Sequence, residues 1–321
     1  MTYAEEKYLI GIDGGATKTE FVLFTEQGDV VCREVLAGSN PNVCGMEATC
    51  AILKSGIDSL RKKQAQISGV FVGIAGYLSG DNGARLEAWF AQTYPELPVS
   101  MGSDICNVIA SGEGKEDCIA VICGTGFVIY ANKKDGLKRV GGWGYLLDNK
   151  GSGCDLGRDA LRAALACYDG FGPHTVLLEL AEEKLGGDIW KHIGEIYAGG
   201  NSFLASFAPL VFKACRMGDE AALQILEENT DRIVELVQFT AEKYQCGPQV
   251  VIAGGLIEHD ATMRTRLQEK LPAGLTMVIP TLPQIYGACA ECCKRYGVQG
   301  DAFREHFRQT YSDLIQKGQT V

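Results

Sequence analysis

The sequence contains no apolar run that approaches the roughly 18 residues of a membrane-spanning helix, which predicts a protein without a membrane partner. Basic residues are also in short supply. Lys and Arg total 30 against 40 Asp and Glu, so the formal net charge is −10. This balance argues against a nucleic-acid partner bound by phosphate neutralisation. The N-terminal residues lack a basic stretch followed by an apolar one, so no secretory signal peptide is predicted.

What the chain does contain is typical of a large folded protein. Of its 321 residues 46% are hydrophobic and 22% are charged, and the mean hydropathy is +0.01. At roughly 100–200 residues per domain, this length predicts two domains. We expect an N-terminal domain over residues 1–115 and a C-terminal domain with a helical insertion over residues 116–300. A helix over residues 301–321 is expected to pack back on the N-terminal domain.

The thirteen cysteines indicate reduced thiols rather than a disulfide framework. Several lie inside apolar runs, as Cys118 and Cys123 do, which is typical of packed thiols in a cytoplasmic protein. The only cysteines with the spacing of metal ligands are Cys289, Cys292 and Cys293. They lie in an apparently helical segment with no second pair nearby, so buried small side chains are favoured over a metal or cluster site.

One layout occurs twice along the chain. Residues 8–35 and 118–140 each predict a strand, a glycine turn, a strand, a second turn and a third strand. A helix is predicted from residue 46 to 60 by the four- and three-residue spacing of its apolar positions. Strands that alternate with helices predict an α/β fold with covered sheets. The repeat therefore indicates two related domains, each with a backbone loop at the same place.

The first glycine turn combines several groups that suit phosphate binding. Glycines allow backbone N–H groups to approach an anion, and hydroxyl and ammonium groups add donors. Asp13 would repel phosphates unless a divalent cation such as Mg²⁺ lay between them, held directly or through water. The turn is formed by Asp13, Gly14, Gly15, Ala16, Thr17, Lys18 and Thr19.

Two further turns follow apolar strands, Gly124-Thr125-Gly126 and Gly254-Gly255. Each is by itself an ordinary turn, and the three together favour a nucleotide held between two domains. There is no G-x-x-x-x-G-K-[ST] sequence, which excludes a Walker A loop. The acid in Gly11-Ile12-Asp13-Gly14 also excludes the dinucleotide fingerprint.

The order of these motifs resembles the actin-like ATPase superfamily, and within it the N-acetylglucosamine kinase branch of the BadF/BadG/BcrA/BcrD ATPase family. The resemblance covers roughly residues 8–290 and implies two ribonuclease-H-like domains with ATP and Mg²⁺ in the cleft between them. A homodimer is also compatible with it. The matching segments are residues 11–19, 39–42, 73–76, 103–104, 124–126, 141–144, 151–153, 155–157 and 253–255.

The resemblance also implies roles for individual residues. It makes Asp104 the general base facing a sugar hydroxyl, and Asp13 the Mg²⁺ residue, through water. The phosphates and nucleotide would be bound by Gly14, Gly15, Thr17, Lys18, Thr19, Gly124, Thr125, Gly126, Gly254 and Gly255. The sugar would be bound by Asn40, Asp104, Gly142, Trp143, Gly144, Asp148 and Asn149.

Simpler roles remain open for three of these residues. From the sequence alone, Asp104 is favoured as a helix N-cap, and both roles can coexist. Asn40 is a turn residue by default. Trp143 is otherwise a core or interface aromatic.

One segment departs from the family pattern. Where the family reads Gly-Asp-Glu-Gly-Ser-Gly, this chain has Asp148-Asn149-Lys150 before Gly151. An amide both donates and accepts hydrogen bonds, whereas a carboxylate only accepts, so hydroxyl recognition should change here. Asp148 is a candidate to take over from one position earlier. Phe127 also stands where the family commonly has serine.

The predicted activity is ATP-dependent phosphorylation of a sugar or amino sugar, with Asp104 as base. One alternative is an ATPase that activates a 2-hydroxyacyl-CoA dehydratase. Such a protein would need cysteines for a [4Fe–4S] cluster shared across a dimer, and Cys154 is the only candidate ligand in the expected region. Another is a non-catalytic sugar or nucleotide sensor, suggested by Asn149 and Lys150.

Overall fold

The computed structural model describes residues 6–148, 150–297 and 300–317. Elements are numbered along the chain. The strands are β1 (Tyr8–Gly14), β2 (Lys18–Thr25), β3 (Val30–Ala37), β4 (Gly69–Ile74), β5 (Val99–Gly102), β6 (Ile119–Cys123), β7 (Phe127–Lys133), β8 (Gly136–Val140), β9 (Gln249–Ala253) and β10 (Thr276–Val278).

The helices lie between and after these strands, with a short 3₁₀ turn at Ile189–His192. None of those in the described ranges combines the length and apolar character needed to cross a bilayer. They are α1 (Pro41–Cys44), α2 (Met46–Arg61), α3 (Asn82–Thr93), α4 (Asp104–Ser111), α5 (Gly153–Tyr168), α6 (Leu177–Leu185), α7 (Ile193–Ala205), α8 (Ala208–Arg216), α9 (Glu220–Tyr244), α10 (Gly255–Glu258), α11 (Ala261–Lys270), α12 (Gln284–Tyr296) and α13 (Phe303–Gln316).

The chain divides into two compact units, and the first consists of Met1–Gly114 with Pro280–Val321. Its sheet has the order β3-β2-β1-β4-β5. Strand β2 is antiparallel to β1 and β3, whereas β1, β4 and β5 are mutually parallel. The carboxyl ends of these three strands therefore meet at one edge, the usual position of a binding site in an α/β sheet.

The second unit, Lys115–Ile279, repeats this topology. Its sheet has the order β10-β9-β6-β7-β8, with β6 antiparallel to β7 and parallel to β9. The predicted repeat is thus confirmed, since each sheet begins with a three-strand meander and continues with two parallel strands. Helices α5 to α9 form the predicted helical insertion between β8 and β9.

Apolar patterning explains why these elements form. Strand β1 begins with an apolar run in which Leu9, Ile10 and Ile12 are fully buried, as expected for a strand covered on both faces, and Asp13 follows that run. Helix α2 buries Leu53 and Ile57 from one face, in agreement with the predicted periodicity.

The division of the chain differs from the predicted ranges at residues 280–300, which belong to the first unit. Helix α12 packs against β1, β4 and α4 of that unit. The reason is its apolar face, which includes the fully buried Cys289, Cys292 and Cys293. Burial raises the pKa of these three thiols, so they remain protonated and pack as small side chains. In the described ranges, no group of three or more His, Cys, Asp or Glu side chains is placed to hold a metal ion.

Helix α13 packs on β3 in the first unit. Phe303 and Phe307 are buried at its interface. The Val30 N–H donates to Thr310 Oγ1 at 2.8 Å, and the Tyr311 hydroxyl donates to Glu20 Oε1 at 2.6 Å. The last described helix is therefore fixed to the sheet by both apolar and polar contacts.

Candidate active site

The first glycine turn is a hairpin between β1 and β2. The Gly15 N–H donates to Lys18 O at 2.9 Å and closes the turn, and the Ser39 N–H donates to Gly15 O at 3.0 Å. Thr17 and Lys18 are exposed, so both are accessible to a ligand. The turn predicted to cradle phosphate is therefore held in place by the segment that leads to Asn40.

Thr19 has a different environment from its neighbours in the turn. Strand alternation turns Lys18 outward and Thr19 inward, and Thr19 is fully buried. Its Oγ1 lies 2.8 Å from both Ala37 O and Ser39 Oγ. The Thr19 hydroxyl, predicted as a phosphate donor, thus contacts the end of β3 and the residues that follow it.

Asp13 lies at the end of β1, where it is partly buried. The Asn107 amide donates to its Oδ1 at 2.6 Å. Burial raises the pKa of the Asp13 carboxyl to about 7, and the Asn107 hydrogen bond opposes that shift. The negative charges of Asp104 and Glu20 raise the pKa further, whereas Lys18 lowers it. The structure therefore brings Asp13 and Asp104 within electrostatic reach of each other in one unit.

Asp104 is the first residue of α4, directly after the N-cap residue Ser103. Its Oδ1 accepts hydrogen bonds from the Ser103 hydroxyl at 2.8 Å and the Ile105 N–H at 3.0 Å. An acid in the first turn is also favoured by the helix dipole. Asp104 is partly buried, so its carboxylate is oriented by the helix start and remains accessible.

Asn40 is the N-cap of the short helix α1, and its side chain accepts the Asn42 N–H at 3.0 Å. The predicted turn is thus a capped helical turn. Asn82 holds this segment, since its amide donates to Asn42 Oδ1 at 2.9 Å and to Gly76 O at 3.0 Å. Asn82 therefore joins two segments that carry the family resemblance, residues 39–42 and 73–76.

The second glycine turn, Gly124-Thr125-Gly126, packs against the start of α5. Gly153 and Cys154 donate their N–H groups to Gly124 O and Thr125 O at 2.8 and 3.1 Å. Ser152 and Asp155 form a reciprocal capping box at the same helix end. Phe127, which follows the turn, is buried in the core of this unit. The Gly-Ser-Gly segment therefore supports the turn through backbone contacts.

The third turn, Gly254-Gly255, lies beside the second because β6 and β9 are parallel neighbours. Gly254 has φ +112°, and a Cβ atom there would lie 2.4 Å from Cys123 O. Only glycine fits such a position. The Gly254 N–H donates to Glu258 Oε1 at 2.9 Å. The two turns of the second unit that are predicted to bind nucleotide are thus adjacent, at the carboxyl ends of their strands.

The tryptophan segment over residues 141–148 is held by Arg139, a residue that sequence reasoning missed. Arg139 donates to Gly141 O at 3.0 Å and to Gly142 O, and its guanidinium lies 4.5 Å from the centre of the Trp143 ring. Trp143 is 62% exposed, so it is not a core aromatic. Asp148 Oδ2 accepts the Gly144 N–H at 2.9 Å, which fixes the other end of the segment.

Asn149 lies outside the described residues, whereas Lys150 lies within them and contacts two acids. Its ammonium lies 2.7 Å from Asp159 Oδ2 and 2.8 Å from Glu228 Oε2. Next to it, the Gly151 N–H donates to Asn229 Oδ1 at 2.8 Å. The charge reversal relative to the family pattern is therefore matched by acids on α5 and α9, and Lys150 anchors the segment.

We expect Lys150→Glu, which restores the family's acid, to lower the free energy of unfolding by roughly 2–3 kcal/mol. This loss of stability is somewhat smaller than the cost of breaking a fully buried ion pair, because the Lys150 side chain is 20% exposed. The substitution would place three carboxylates together. Urea unfolding measures the change, with Lys213→Glu as the control in an exposed pair. Wild-type stability of Lys150→Glu would show that these ion pairs do not hold the segment.

The two repeated α/β units, each with a glycine turn after its first strand, have the architecture of the actin-like ATPase fold. A candidate N-acetylglucosamine kinase from Chromobacterium violaceum has a similar structure, with a TM-score of 0.71 at 23% sequence identity. The similarity covers 89% of this chain and 99% of that one.

The chain belongs to the BadF/BadG/BcrA/BcrD ATPase family, whose model matches residues 10–289. It is 27% identical over 288 residues to the N-acetyl-D-glucosamine kinase of Dictyostelium discoideum, covering 83% of this chain and 90% of the relative. It is 29% identical over 267 residues to the N-acetylmuramic acid/N-acetylglucosamine kinase of Clostridium acetobutylicum, covering 79% and 86%.

Proposed function

We propose that the protein transfers the γ-phosphoryl group of ATP to a hydroxyl of an amino sugar such as N-acetylglucosamine. Family membership and the names of the relatives support the class of reaction. The observation that carries the proposal is that Asp13, near the end of β1, and Asp104, just after β5, lie at the same edge of the first sheet. One carboxylate serves the nucleotide and the other serves the acceptor.

Asp104 is proposed as the group that orients the acceptor. Its carboxylate accepts the proton of the sugar hydroxyl as the new O–P bond forms and the bond from the γ-phosphorus to the bridging oxygen breaks, which releases ADP. Phosphoryl transfer depends more on positioning and charge than on a strong base. The hydrogen bonds from Ser103 and Ile105 provide that positioning.

The residues around Asp13 fit a hydrated Mg²⁺. Mg²⁺ is usually bound by one or two carboxylates, waters and the substrate's own phosphates. Burial and the nearby acids Asp104 and Glu20 disfavour the charge on Asp13, whereas the Asn107 hydrogen bond and Lys18 favour it. A bound divalent ion would balance this charge, and it would neutralise the phosphate oxygens during transfer.

The glycine turns would bind the nucleotide through backbone N–H groups. Gly14, Gly15, Thr17 and Lys18 belong to the first unit, and two more turns, residues 124–126 and 254–255, belong to the second. We propose that the acceptor contacts Asn40, residues 142–144 and Asp148, together with Asn149. The exposed Trp143 ring offers an apolar face for a sugar ring.

The dehydratase-activator alternative is less well supported. A cluster shared between two chains needs accessible thiolates, and Cys154 is fully buried in the core at the start of α5. Burial also raises the pKa of this thiol to about 11, as expected for a cysteine packed in apolar surroundings.

The test is an ATP-consumption assay of the purified protein with Mg²⁺ and a panel of N-acetylglucosamine, glucosamine, N-acetylmuramic acid and glucose. We expect turnover with at least one amino sugar and product mass increased by one phosphate. Tight sugar binding without turnover, detected by thermal shift, would favour the sensor alternative. No turnover with any sugar would refute the proposal.

A further inference from the structure

The first turn of α4 carries a second polar residue besides Asp104. Asn107 lies three positions later, on the same face of the helix, and is fully buried. Asparagine is uncommon at a fully buried helical position, since its amide needs hydrogen-bond partners there. The partners of Asn107 are therefore informative.

The Asn107 amide joins the ends of two strands. Its Nδ2 donates to Asp13 Oδ1 at 2.6 Å and to Gly73 O at 3.3 Å. Asp13 and Gly73 are directly paired in the parallel ladder of β1 and β4. One amide group thus engages the Asp13 carboxylate and the backbone beside it, which restricts the orientation of that carboxylate.

Two glycines allow close packing around Asn107. A Cβ atom on Gly73 would lie 2.1 Å from Asn107 Oδ1, so the amide lies directly over the Gly73 backbone. On the other side, a Cβ on Gly287 of α12 would lie 1.9 Å from Asn107 O. Helix α4 is therefore closely packed at the point where it contacts Asp13.

The Asn107 amide is only half satisfied. Its Oδ1 is buried and has no hydrogen-bond partner among the described residues. An apolar side chain of the same size would avoid that cost, so the donor contact to Asp13 is the feature that distinguishes asparagine here. An amide donor is also neutral, so it fixes one oxygen of Asp13 without cancelling its charge.

We propose that Asn107 is a positioning residue for phosphoryl transfer. It sets the orientation of the Asp13 carboxylate toward hydrated Mg²⁺, and it ties that carboxylate to the helix turn that begins with Asp104. This inference rests on the proposed function. Groups that orient metal-binding side chains typically change metal affinity or activity by about 10–100-fold when they are removed.

The test compares Asn107→Leu and Asn107→Ser with the wild type. Calorimetric titration of ATP at a series of Mg²⁺ concentrations measures the metal requirement of binding, without turnover. In both variants, we expect the Mg²⁺ concentration that gives half-maximal tight binding of ATP to rise roughly 10-fold, and kcat to fall by about 10–100-fold. The KM for the sugar should change less than about threefold, because Asp104 and Asn40 are untouched.

Ser111→Ala is the matched control, since Ser111 is equally buried on α4 but its hydroxyl donates only to Val108 O. It should leave the Mg²⁺ requirement and kcat unchanged. If Asn107→Leu does not fold, as judged by circular dichroism, the smaller Asn107→Ser decides the question. A folded Asn107→Ser with the wild-type Mg²⁺ requirement and kcat would overturn the inference.

A double-mutant cycle adds a sharper criterion. Asp13→Asn and Asn107→Ser should each raise the Mg²⁺ requirement. If Asn107 acts through Asp13, the increase in the double variant should be smaller than the product of the two single increases. Shifts that multiply fully would overturn the inference. An inactive wild type would instead refute the proposed function, so the two failures are distinguishable.

Discussion

Asp104→Asn is expected to lower kcat by about 10²–10⁴-fold and to leave ATP binding within about threefold of the wild type. Asparagine keeps the size of the side chain and one oxygen that can accept from the Ser103 hydroxyl and the Ile105 N–H. The start of α4 should therefore stay intact. What the substitution removes is the negative charge and the ability to take the proton of the sugar hydroxyl.

The measurement is a steady-state assay together with calorimetric titration of ATP. Asp260→Asn is the matched control, since Asp260 also lies at a helix start and accepts a nearby N–H, from Thr262 at 2.8 Å. It should change kcat less than about twofold, because Asp260 is not part of the proposed site. Turnover of Asp104→Asn at the wild-type rate would remove Asp104 as the base.

Asp13→Asn is expected to reduce activity at saturating Mg²⁺ by about 100-fold, which corresponds to roughly 2.7 kcal/mol of transition-state stabilisation. The amide oxygen can still accept the hydrogen bond from Asn107, so the fold at the end of β1 should be preserved. The loss of charge weakens the attraction for a hydrated divalent ion. The Mg²⁺ concentration for half-maximal rate should therefore rise.

Initial rates over a Mg²⁺ series measure this effect, with Asp58→Asn as the control. Asp58 is an acid of the same unit that accepts the Tyr94 hydroxyl at 2.7 Å, which asparagine can also do. Its Mg²⁺ dependence should match that of the wild type. If Asp13→Asn showed the same Mg²⁺ dependence as Asp58→Asn and the wild type, the role proposed for Asp13 would be wrong.

Much of the fold was predictable because its signals are local. The apolar run of β1, the glycine turn after it and the repeat near residue 118 each occupy a short stretch of sequence. The end of the second unit was less predictable. Helix α12 has an ordinary helical pattern, and only its packing against β1 and α4 shows that it belongs with the first unit.

The candidate site was predictable to a different extent for each residue. Asp13 and Asp104 stand at strand and helix ends, and the family resemblance implies the roles proposed for them. Thr19 looked like a phosphate donor because hydroxyls suit that role, but strand alternation turns it into the sheet. At Lys150 the sequence showed only a departure from the family's acid, and the two acidic partners of this lysine are visible only once α5 and α9 are folded.

The sequence alone determined the α/β class, the repeat, the glycine turns and the family resemblance, because each depends on neighbouring residues and their spacing. The tertiary structure alone decided which side chains share a site. Asn107 and Asp13 are 94 positions apart and meet at 2.6 Å. No local pattern encodes such a contact, since it arises from the parallel pairing of β1 with β4 and the packing of α4 beneath α12.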